Sequence, residues 1–256
     1  MTRHLVIPDV QCKEGIDTNF LRCIGNYIVA KKPEVLVCLG DFADMSSLSS
    51  YDQGKKSFEG RRYIKDIEAA KAAMATLLTP LWEFNKKAIK NKEKQYHPKM
   101  VLTLGNHENR INRAINDDPK LDGVLSINDL KYEEFGWEVH NFLDVVILDG
   151  IAYSHYFVTG VAGRPASSAS AQLNKKHQSC IAGHQQGLQL ATSYRADGGL
   201  ITSVIAGSCY EHQEEYLGPQ GNRHWRGFLV LHDVKPTGEF DIMPVNLSYT
   251  NAKYNY

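Results

Sequence analysis

The sequence lacks a long hydrophobic run and a net charge, and its first residues do not have the pattern expected of a secretory leader. No stretch approaches the roughly 18 apolar residues that a membrane-spanning helix needs, so no membrane partner is expected. Basic and acidic residues both number 29, so no bulk field attracts nucleic acid, although this balance leaves room for a local basic groove. The N-terminus has no basic segment followed by a long apolar one. We expect a soluble, cytoplasmic protein.

Cysteine is also scarce, and no two cysteines form a CxxC pair. Five widely spaced cysteines in 256 residues argue against a disulfide framework and against a zinc ribbon. We predict that they are reduced thiols in the core. Hydrophobic residues make up 43% and charged residues 23%, which are ordinary globular proportions. With no obvious linker or repeat, residues 1–256 are predicted to form a single domain.

The first half of the chain alternates short apolar runs with amphipathic segments. Residues 4–8, 34–39 and 100–104 are rich in Val, Ile and Leu, and each run ends in a polar loop, as buried strands do. Residues 17–32 and 61–92 place apolar side chains at helical spacing. The order strand, helix, strand predicts parallel pairing and an α/β fold.

The second half, from about residue 139, reads mostly as strands. Asp149-Gly150 between apolar runs is a strong hairpin signal. The segment 159–170 is rich in Gly, Ala and Ser and reads equally well as a mobile active-site loop or as a plain connection. Further strand candidates lie at 179–184, 200–207, 225–234 and 240–247.

Polar residues follow the three predicted parallel strands at the point where each one ends. Asp9 follows the first strand, Asp41 the second and Asn106 the third. The carboxyl ends of parallel strands meet at one edge of a sheet, where α/β folds bind ligands. These side chains are therefore expected to share one centre. Oxygen donors together with imidazoles suit Mn, Fe, Zn or Mg, and a carboxylate can bridge two such cations.

Five short motifs occur in order along residues 4–186: PDVQ, GDFAD, GNHE, SH and GHQQ. Each alone is weak, since an aspartate after a strand is often a helix cap and a lone histidine is usually structural. Together they resemble the signature blocks of the calcineurin-like metallophosphoesterase superfamily. The fold that this resemblance implies is an αββα sandwich of two mixed β-sheets flanked by helices. It also implies up to two divalent metals per chain at the loop edge of the sheets.

The resemblance implies a role for each matching position. Asp41 would bridge the two metals, and Asp9 would bind the first metal. His107 would stabilise the transition state or protonate the leaving oxygen, so the catalytic residues would be His107 and Asp41. The other protein ligands of the second metal would be Asn106, His155 and His184.

Two positions depart from the family pattern. Gln11 and Gln186 stand where the family usually has histidines that bind the first metal. If both glutamines bind the first metal, that site has amide oxygens in place of imidazole nitrogens, and oxygen donors favour harder ions. We expect Mn or Mg there, with Fe, Ni and Zn as further candidates. The alternatives are an empty first site or a chain that is not an enzyme.

One more departure from the family pattern limits the classes of substrate that we expect. Met45-Ser46 follows GDFAD, where protein phosphatases of this superfamily continue with Arg-Gly, so protein phosphatase activity is not expected. Arg110 and Arg113 could bind phosphate, or could be solvated helix residues. Candidate aromatic residues for stacking nucleic-acid bases are Trp137, Tyr156, Phe157, Tyr194, Tyr210 and Trp225.

The function predicted from these features is hydrolysis of a phosphodiester bond in a nucleotide or nucleic acid by metal-activated water. Two alternatives stay open. One is a binding or scaffold protein that keeps the fold but has lost catalysis, and the other is a small-molecule phosphomonoesterase. The sequence does not indicate an oligomeric state.

Overall fold

Two mixed β-sheets lie at the centre of the protein in a computed structural model that describes residues 2–52, 54–214 and 217–256. The strands are β1 Thr2–Ile7, β2 Val35–Cys38, β3 Lys99–Thr103, β4 Glu138–His140, β5 Val146–Leu148, β6 Ile151–Ser154, β7 Cys180–Ala182, β8 Leu188–Tyr194, β9 Leu200–Ala206, β10 Gly227–Val234 and β11 Asp241–Asn246. The helices are α1 Asn19–Lys31, α2 Tyr63–Asn91, α3 Arg110–Asp117, α4 Ala169–Lys176, α5 Gly218–Gly221 and α6 Leu247–Tyr254.

The strand order brings the ends of the parallel strands together. The first sheet has the order β11-β10-β1-β2-β3-β4, in which β1, β2, β3 and β4 are parallel neighbours. The second sheet has the order β5-β6-β7-β9-β8, in which β6, β7 and β9 are parallel. Loops that leave β1, β2 and β3 therefore begin side by side, as do those that leave β6 and β7.

Side-chain alternation along β1 divides the core into two layers. Leu5 and Ile7 pack against α1, α2 and α6 on one face of the first sheet. Val6 points to the other face and joins a buried cluster that contains Ile181 and Val204 of the second sheet. Helix α4 covers the far side of β7, β8 and β9. The protein is thus an α/β structure with two mixed sheets flanked by helices.

Most predicted elements are confirmed. The strands predicted at 4–8, 34–39 and 100–104 are β1, β2 and β3, and the helices predicted at 17–32 and 61–92 are α1 and α2. The hairpin predicted at Asp149-Gly150 joins β5 to β6, and both residues have the positive φ angles, 47° and 77°, that this turn requires.

The second half is mostly β, as predicted, since it contains β5 to β11, but the short helices α4, α5 and α6 were not predicted. Strands β4 and β8 were not predicted either. Helix α4 begins within the segment 159–170, where Ser168 caps it by accepting a hydrogen bond from the Ala171 amide at 3.1 Å. Within the residues described, no helix has the length and apolar character needed to cross a membrane.

Candidate metal centre

The predicted metal ligands lie in loops that follow parallel strands of both sheets. Asp9 follows β1, Asp41 follows β2 and Asn106 follows β3. His155 comes directly after β6, and His184 follows β7. The two sheets pack against each other, so these loops meet at one edge of the sandwich.

Asn106 lies between the two histidines. Its Oδ1 atom is 2.9 Å from Nε2 of His155 and 2.7 Å from Nδ1 of His184. Nε2 of His155 is also 3.4 Å from Oδ2 of Asp41. The ligand atoms of Asp41, His155 and His184 all lie within 4.8 Å of one another. A carboxylate, two imidazoles and an amide oxygen therefore face one point, and the first three form a group that could hold a metal ion.

The orientation of the His155 ring is fixed by the backbone. Its Nδ1 atom donates to the Leu39 carbonyl oxygen at 2.7 Å, so Nε2 of the neutral ring has no hydrogen and faces the oxygens of Asn106 and Asp41. Acceptors that face each other this closely need a positive charge between them. Burial opposes a charged ring, but the carboxylates of Asp41 and Asp9 raise the pKa of His155 to about 9. A proton or a metal cation would satisfy this arrangement.

Hydrogen bonds hold both the backbone amide and the carboxylate of Asp41 in place. The Glu108 carboxylate accepts hydrogen bonds from the amides of Asp41, Ala43 and Gly105, each at 2.9 Å. Oδ1 of Asp41 accepts from the His107 amide at 2.8 Å. A β-carbon on Gly105 would lie 2.1 Å from that same Oδ1 atom, so only glycine fits there. Glu108 was not singled out from the sequence, and it braces the loops after β2 and β3.

Asp9 has one oxygen that fits a cation. Its side chain is buried, and Oδ1 accepts a hydrogen bond from the His184 amide at 2.9 Å. Oδ2 is also buried and has no hydrogen-bond partner among the residues described. Burial, together with the nearby Asp41, raises the pKa of Asp9 to about 7, although His155 opposes this shift. An unpaired buried carboxylate oxygen is costly unless it binds a proton or a cation.

The two glutamines have different contacts, Gln11 with Asp41 and Gln186 with Tyr210. Gln11 has a left-handed backbone with φ of 48°, and its amide donates to the Asp41 carbonyl oxygen at 2.8 Å. Oε1 of Gln186 accepts a hydrogen bond from the Tyr210 hydroxyl at 2.5 Å. The backbone amide of Cys209, the residue before Tyr210, donates a hydrogen bond to the Asp9 carbonyl oxygen at 2.8 Å. An amide oxygen of this kind can accept a hydrogen bond and still offer a lone pair to a cation.

His107 lies beside the cluster and is positioned by two neighbours. Its Nδ1 atom is 2.9 Å from Oδ1 of Asp44, and its Nε2 atom is 3.1 Å from Nη2 of Arg110. Arg110 also donates to the Asp44 carbonyl oxygen at 2.8 Å. Burial lowers the pKa of His107, but the carboxylates of Asp41 and Asp44 outweigh this and raise it. Asp44 was not singled out from the sequence, where its only signal is the second aspartate of GDFAD.

A cleft of about 540 Å³ opens beside these residues. Gln11, Asn106 and His184 line one end, and Arg110 and Lys13 line the side next to His107. Lys13 lies between two carboxylates, 3.4 Å from Asp44 and 2.6 Å from Glu214. Of the two arginines predicted to bind phosphate, only Arg110 lines this cleft. The side chain of Arg113 is exposed on α3.

Several aromatic residues proposed for base stacking are unsuited to it. Trp137, Phe157 and Tyr210 are buried in the core. The Tyr156 ring is half-buried, with its centroid 4.8 Å from that of His184. Tyr51, which the sequence did not single out, lines the cleft and is 79% exposed.

Comparisons with known proteins do not assign the chain to a family. No family model matches the chain, and no curated protein matches it. The activity must therefore be inferred from the residues of the site. Among these residues, the carboxylate of Asp41 and the imidazoles of His155 and His184 could hold a metal ion.

Proposed function

We propose that the protein is a metal-dependent phosphoesterase of the calcineurin-like superfamily that hydrolyses phosphodiester bonds in a nucleotide or nucleic acid. One observation carries the proposal. Asp41, Asn106, His155 and His184 come from four separate motifs, yet their side chains meet at one point with His107 beside them. The order of these motifs resembles that of the superfamily's signature blocks, and two mixed sheets flanked by helices are compatible with its αββα sandwich.

Two groups of residues would hold metal ions. The carboxylate of Asp41 and the imidazoles of His155 and His184 fit a cation, and so does the unpaired Oδ2 atom of Asp9. Divalent cations in such a centre supply Lewis acidity, which acidifies water and offsets negative charge on phosphoryl oxygens. One group is Asp41, Asn106, His155 and His184, and the other is Asp9, Gln11, Gln186 and the shared Asp41.

The side chains beside the cluster would bind the ester and transfer a proton. Arg110 and Lys13 offer cationic donors to phosphoryl oxygens on the same side of the cleft as His107. His107 would donate a proton from Nε2 to the leaving oxygen, because Nδ1 is held by Asp44. For this step Arg110 must release its contact with Nε2 and turn to the phosphoryl group.

The proposed substrate class is a diester rather than a phosphoprotein. Met45-Ser46 occupies the position where protein phosphatases of the superfamily carry a phosphate-binding arginine. The cleft is also larger than one phosphoryl group requires, since its volume is about 540 Å³. A diester extends in two directions from phosphorus, and the cleft provides room on the side of Lys13 and Arg110.

The test is hydrolysis of bis-p-nitrophenyl phosphate and of p-nitrophenyl phosphate, with each divalent metal added back after chelation. We expect faster turnover of the diester with Mn and loss of turnover in Asp41→Ala. The matched control is Asp117→Ala, which removes an exposed carboxylate on α3. Calorimetric titration of Mn into both variants should show binding lost only in Asp41→Ala. A folded wild-type protein that binds no divalent metal and cleaves neither ester would contradict the proposal.

The two glutamines favour a second candidate, a protein that binds a partner but does not catalyse. Gln11 and Gln186 replace both imidazoles of the first metal, and Gln186 is already engaged by Tyr210. The double variant Gln11→His with Gln186→His separates the two candidates. If the wild type is active, the variant should shift its preference towards Zn or Ni. If the wild type is silent and the variant is active, the glutamines have switched catalysis off. Faster turnover of the monoester in the wild type would instead indicate a small-molecule phosphomonoesterase.

A further inference from the structure

The cleft extends well beyond the metal cluster. Part of its wall is formed by residues that precede α2, among them Ser49, Tyr51, Lys55 and Arg61, none of which is a proposed metal ligand. A phosphoryl group occupies only a few times the roughly 30 Å³ of a water molecule. Most of the 540 Å³ is therefore available to parts of a substrate that do not react. The chemistry of this wall indicates which parts those are.

The backbone next to the wall is held by partly buried hydrogen bonds. The Asp66 carboxylate on α2 accepts hydrogen bonds from the Ser47 amide at 2.8 Å and from the Ser46 hydroxyl at 3.2 Å. Arg61 donates to the Ser46 carbonyl oxygen at 3.0 Å and to Oδ2 of Asp52 at 2.9 Å. The residues that project from this backbone are thus presented to the cleft on a supported surface.

The wall carries more positive than negative charge. Asp52 is shared by two cations, because Oδ1 accepts from Lys55 at 2.7 Å while Oδ2 accepts from Arg61. Between Tyr51 and Arg62 the sequence has four basic and two acidic residues. The other side of the cleft differs, since Lys13 is flanked by two carboxylates. The surplus positive charge of the cleft therefore lies in this wall.

Tyr51 adds an aromatic surface beside these cations. Its side chain lines the cleft and is 79% exposed, so the ring is not part of the hydrophobic core. An exposed aromatic ring next to basic residues is the combination with which proteins bind single strands, since bases stack on the ring and phosphates contact the cations. Bases within a duplex are already stacked on each other and cannot use such a ring without being unpaired.

We infer that the wall formed by Tyr51, Lys55 and Arg61 binds a single-stranded nucleic acid, with a base on Tyr51 and a non-reacting phosphate at Lys55 and Arg61. This inference deepens the proposed function and rests on it for the identity of the reacting phosphodiester. The strand would run from the metal cluster past Arg110 to the wall.

The inference is tested by binding, which requires no turnover. The full-length chain is titrated into a fluorescein-labelled oligothymidylate of about eight nucleotides, within the usual range of single-strand site sizes. EDTA is present so that the strand stays intact, and fluorescence anisotropy gives Kd. Loss of the stacking ring in Tyr51→Ala should raise Kd about 5-fold or more. Lys55→Ala should raise Kd and also reduce the slope of log K against log salt concentration by about 0.7, the value of one phosphate contact.

The chain offers matched controls for both variants. Tyr256, which follows α6, is 73% exposed, and Lys235 has a side chain 52% exposed in an ion pair with Glu239 at 3.0 Å. Lys55 is 53% exposed in a comparable pair with Asp52. Tyr256→Ala and Lys235→Ala should leave Kd and the salt slope unchanged. If Tyr51→Ala and Lys55→Ala behave like these controls, or if a duplex of equal length binds as tightly as the single strand, the inference is overturned.

The outcome is separable from that of the proposed function. Hydrolysis of bis-p-nitrophenyl phosphate by the wild type reports on the metal centre alone, because this substrate has no second phosphate and no base. Turnover of that ester without dependence of strand binding on Tyr51 and Lys55 would reject only the inference. Strand binding that depends on both residues, in a chain that cleaves no ester, would reject the proposed function and keep the nucleic-acid site.

Discussion

Asp44 contacts the His107 ring but is not a proposed metal ligand. Replacing Asp44 therefore tests the orientation of His107 separately from metal binding. The Asp44 carboxylate contacts His107 and Lys13 and lies next to Arg110, but it is not among the atoms that meet at Asn106. Asp44→Asn keeps the size of the side chain but weakens its hold on the His107 ring. We expect kcat for bis-p-nitrophenyl phosphate to fall about 10- to 100-fold, as happens when the partner of a functional imidazole is removed. Steady-state kinetics with saturating Mn measures this change.

A role limited to stability would give a different pattern. Affinity for Mn should stay within about 3-fold of the wild type in Asp44→Asn, since none of the proposed ligands is altered. The control is Asp129→Asn, which removes a carboxylate that accepts a hydrogen bond from the Tyr63 hydroxyl at 2.7 Å away from the cleft. Equal losses of kcat in the two variants, or loss of Mn binding in Asp44→Asn, would contradict a positioning role for Asp44.

The sequence predicted the ligands better than it predicted the residues that position them. Asp41 and His184 are recognisable because each follows a strand within a short motif that contains glycine. Glu108 and Asp44 act through contacts that depend on the fold. Asp44 is 63 residues away from His107 in the chain. Carboxylates in loops are common, so no local pattern distinguishes these two from solvated residues.

Helices α1 and α2 are in close contact at Gly25, which has no side chain to separate them. A β-carbon there would lie 2.3 Å from the Leu77 carbonyl oxygen and 2.8 Å from Cγ of Pro80. Both atoms belong to α2, so the helices must move apart to accommodate it. Gly25→Ala should lower the free energy of unfolding by about 1–3 kcal/mol. This overcomes the gain of about 1 kcal/mol that alanine brings within a helix.

Denaturant unfolding followed by circular dichroism measures this loss, and Gly160→Ala is the matched control. A β-carbon on Gly160 meets no atom within 4 Å, and its φ angle lies outside the left-handed range. The control should therefore change the free energy of unfolding by less than about 0.5 kcal/mol. If Gly25→Ala is as stable as the control, the helices do not depend on this contact.

Elements with strong periodicity were predicted, and those with mixed patterns were not. Helix α1 has a continuous apolar stripe that faces the first sheet, and β1 to β3 are apolar runs buried on both faces. Strand β8 is an edge strand whose side chains are mostly exposed, so its sequence has little apolar alternation. Helix α4 is short and rich in small and polar residues, and its helical form depends on packing against β8 and β9.

At the scale of the whole molecule, the candidate centre exists only where the two sheets meet. Asp41 and Asn106 come from loops of the first sheet, while His155 and His184 come from loops of the second. The Leu39 carbonyl oxygen, just after β2, accepts from Nδ1 of His155 and so joins the sheets within the centre. A change in the packing of the sheets would separate the proposed ligands, which links metal affinity to global stability.

A second buried contact joins the sheets through β1. Nδ1 of His4 is 2.8 Å from the hydroxyl of Tyr153 on β6, and Nε2 is 3.0 Å from Oδ2 of Asp149 in the turn after β5. The neutral ring satisfies both partners if Nε2 carries the hydrogen and Nδ1 accepts from the Tyr153 hydroxyl. Burial lowers the pKa of His4 below its usual 6.5, although Asp149 favours the charged form. The folded protein therefore keeps His4 neutral at a pH where the unfolded chain protonates it.

This arrangement predicts the sign of a pH dependence. As pH falls through about 6.5, the unfolded chain gains a proton that folded His4 does not, so the free energy of unfolding decreases until the lower folded pKa is passed. The decrease cannot exceed about 1.4 kcal/mol per pH unit for one proton. Between pH 8 and pH 5, denaturant unfolding should show that the free energy of unfolding of the wild type decreases relative to that of His4→Gln as pH falls. Replacing the exposed His97 with glutamine should leave the wild-type slope unchanged. Curves of the wild type and His4→Gln that run parallel, or a difference between them that grows in favour of the wild type as pH falls, would show that the contact between the sheets does not depend on a neutral His4.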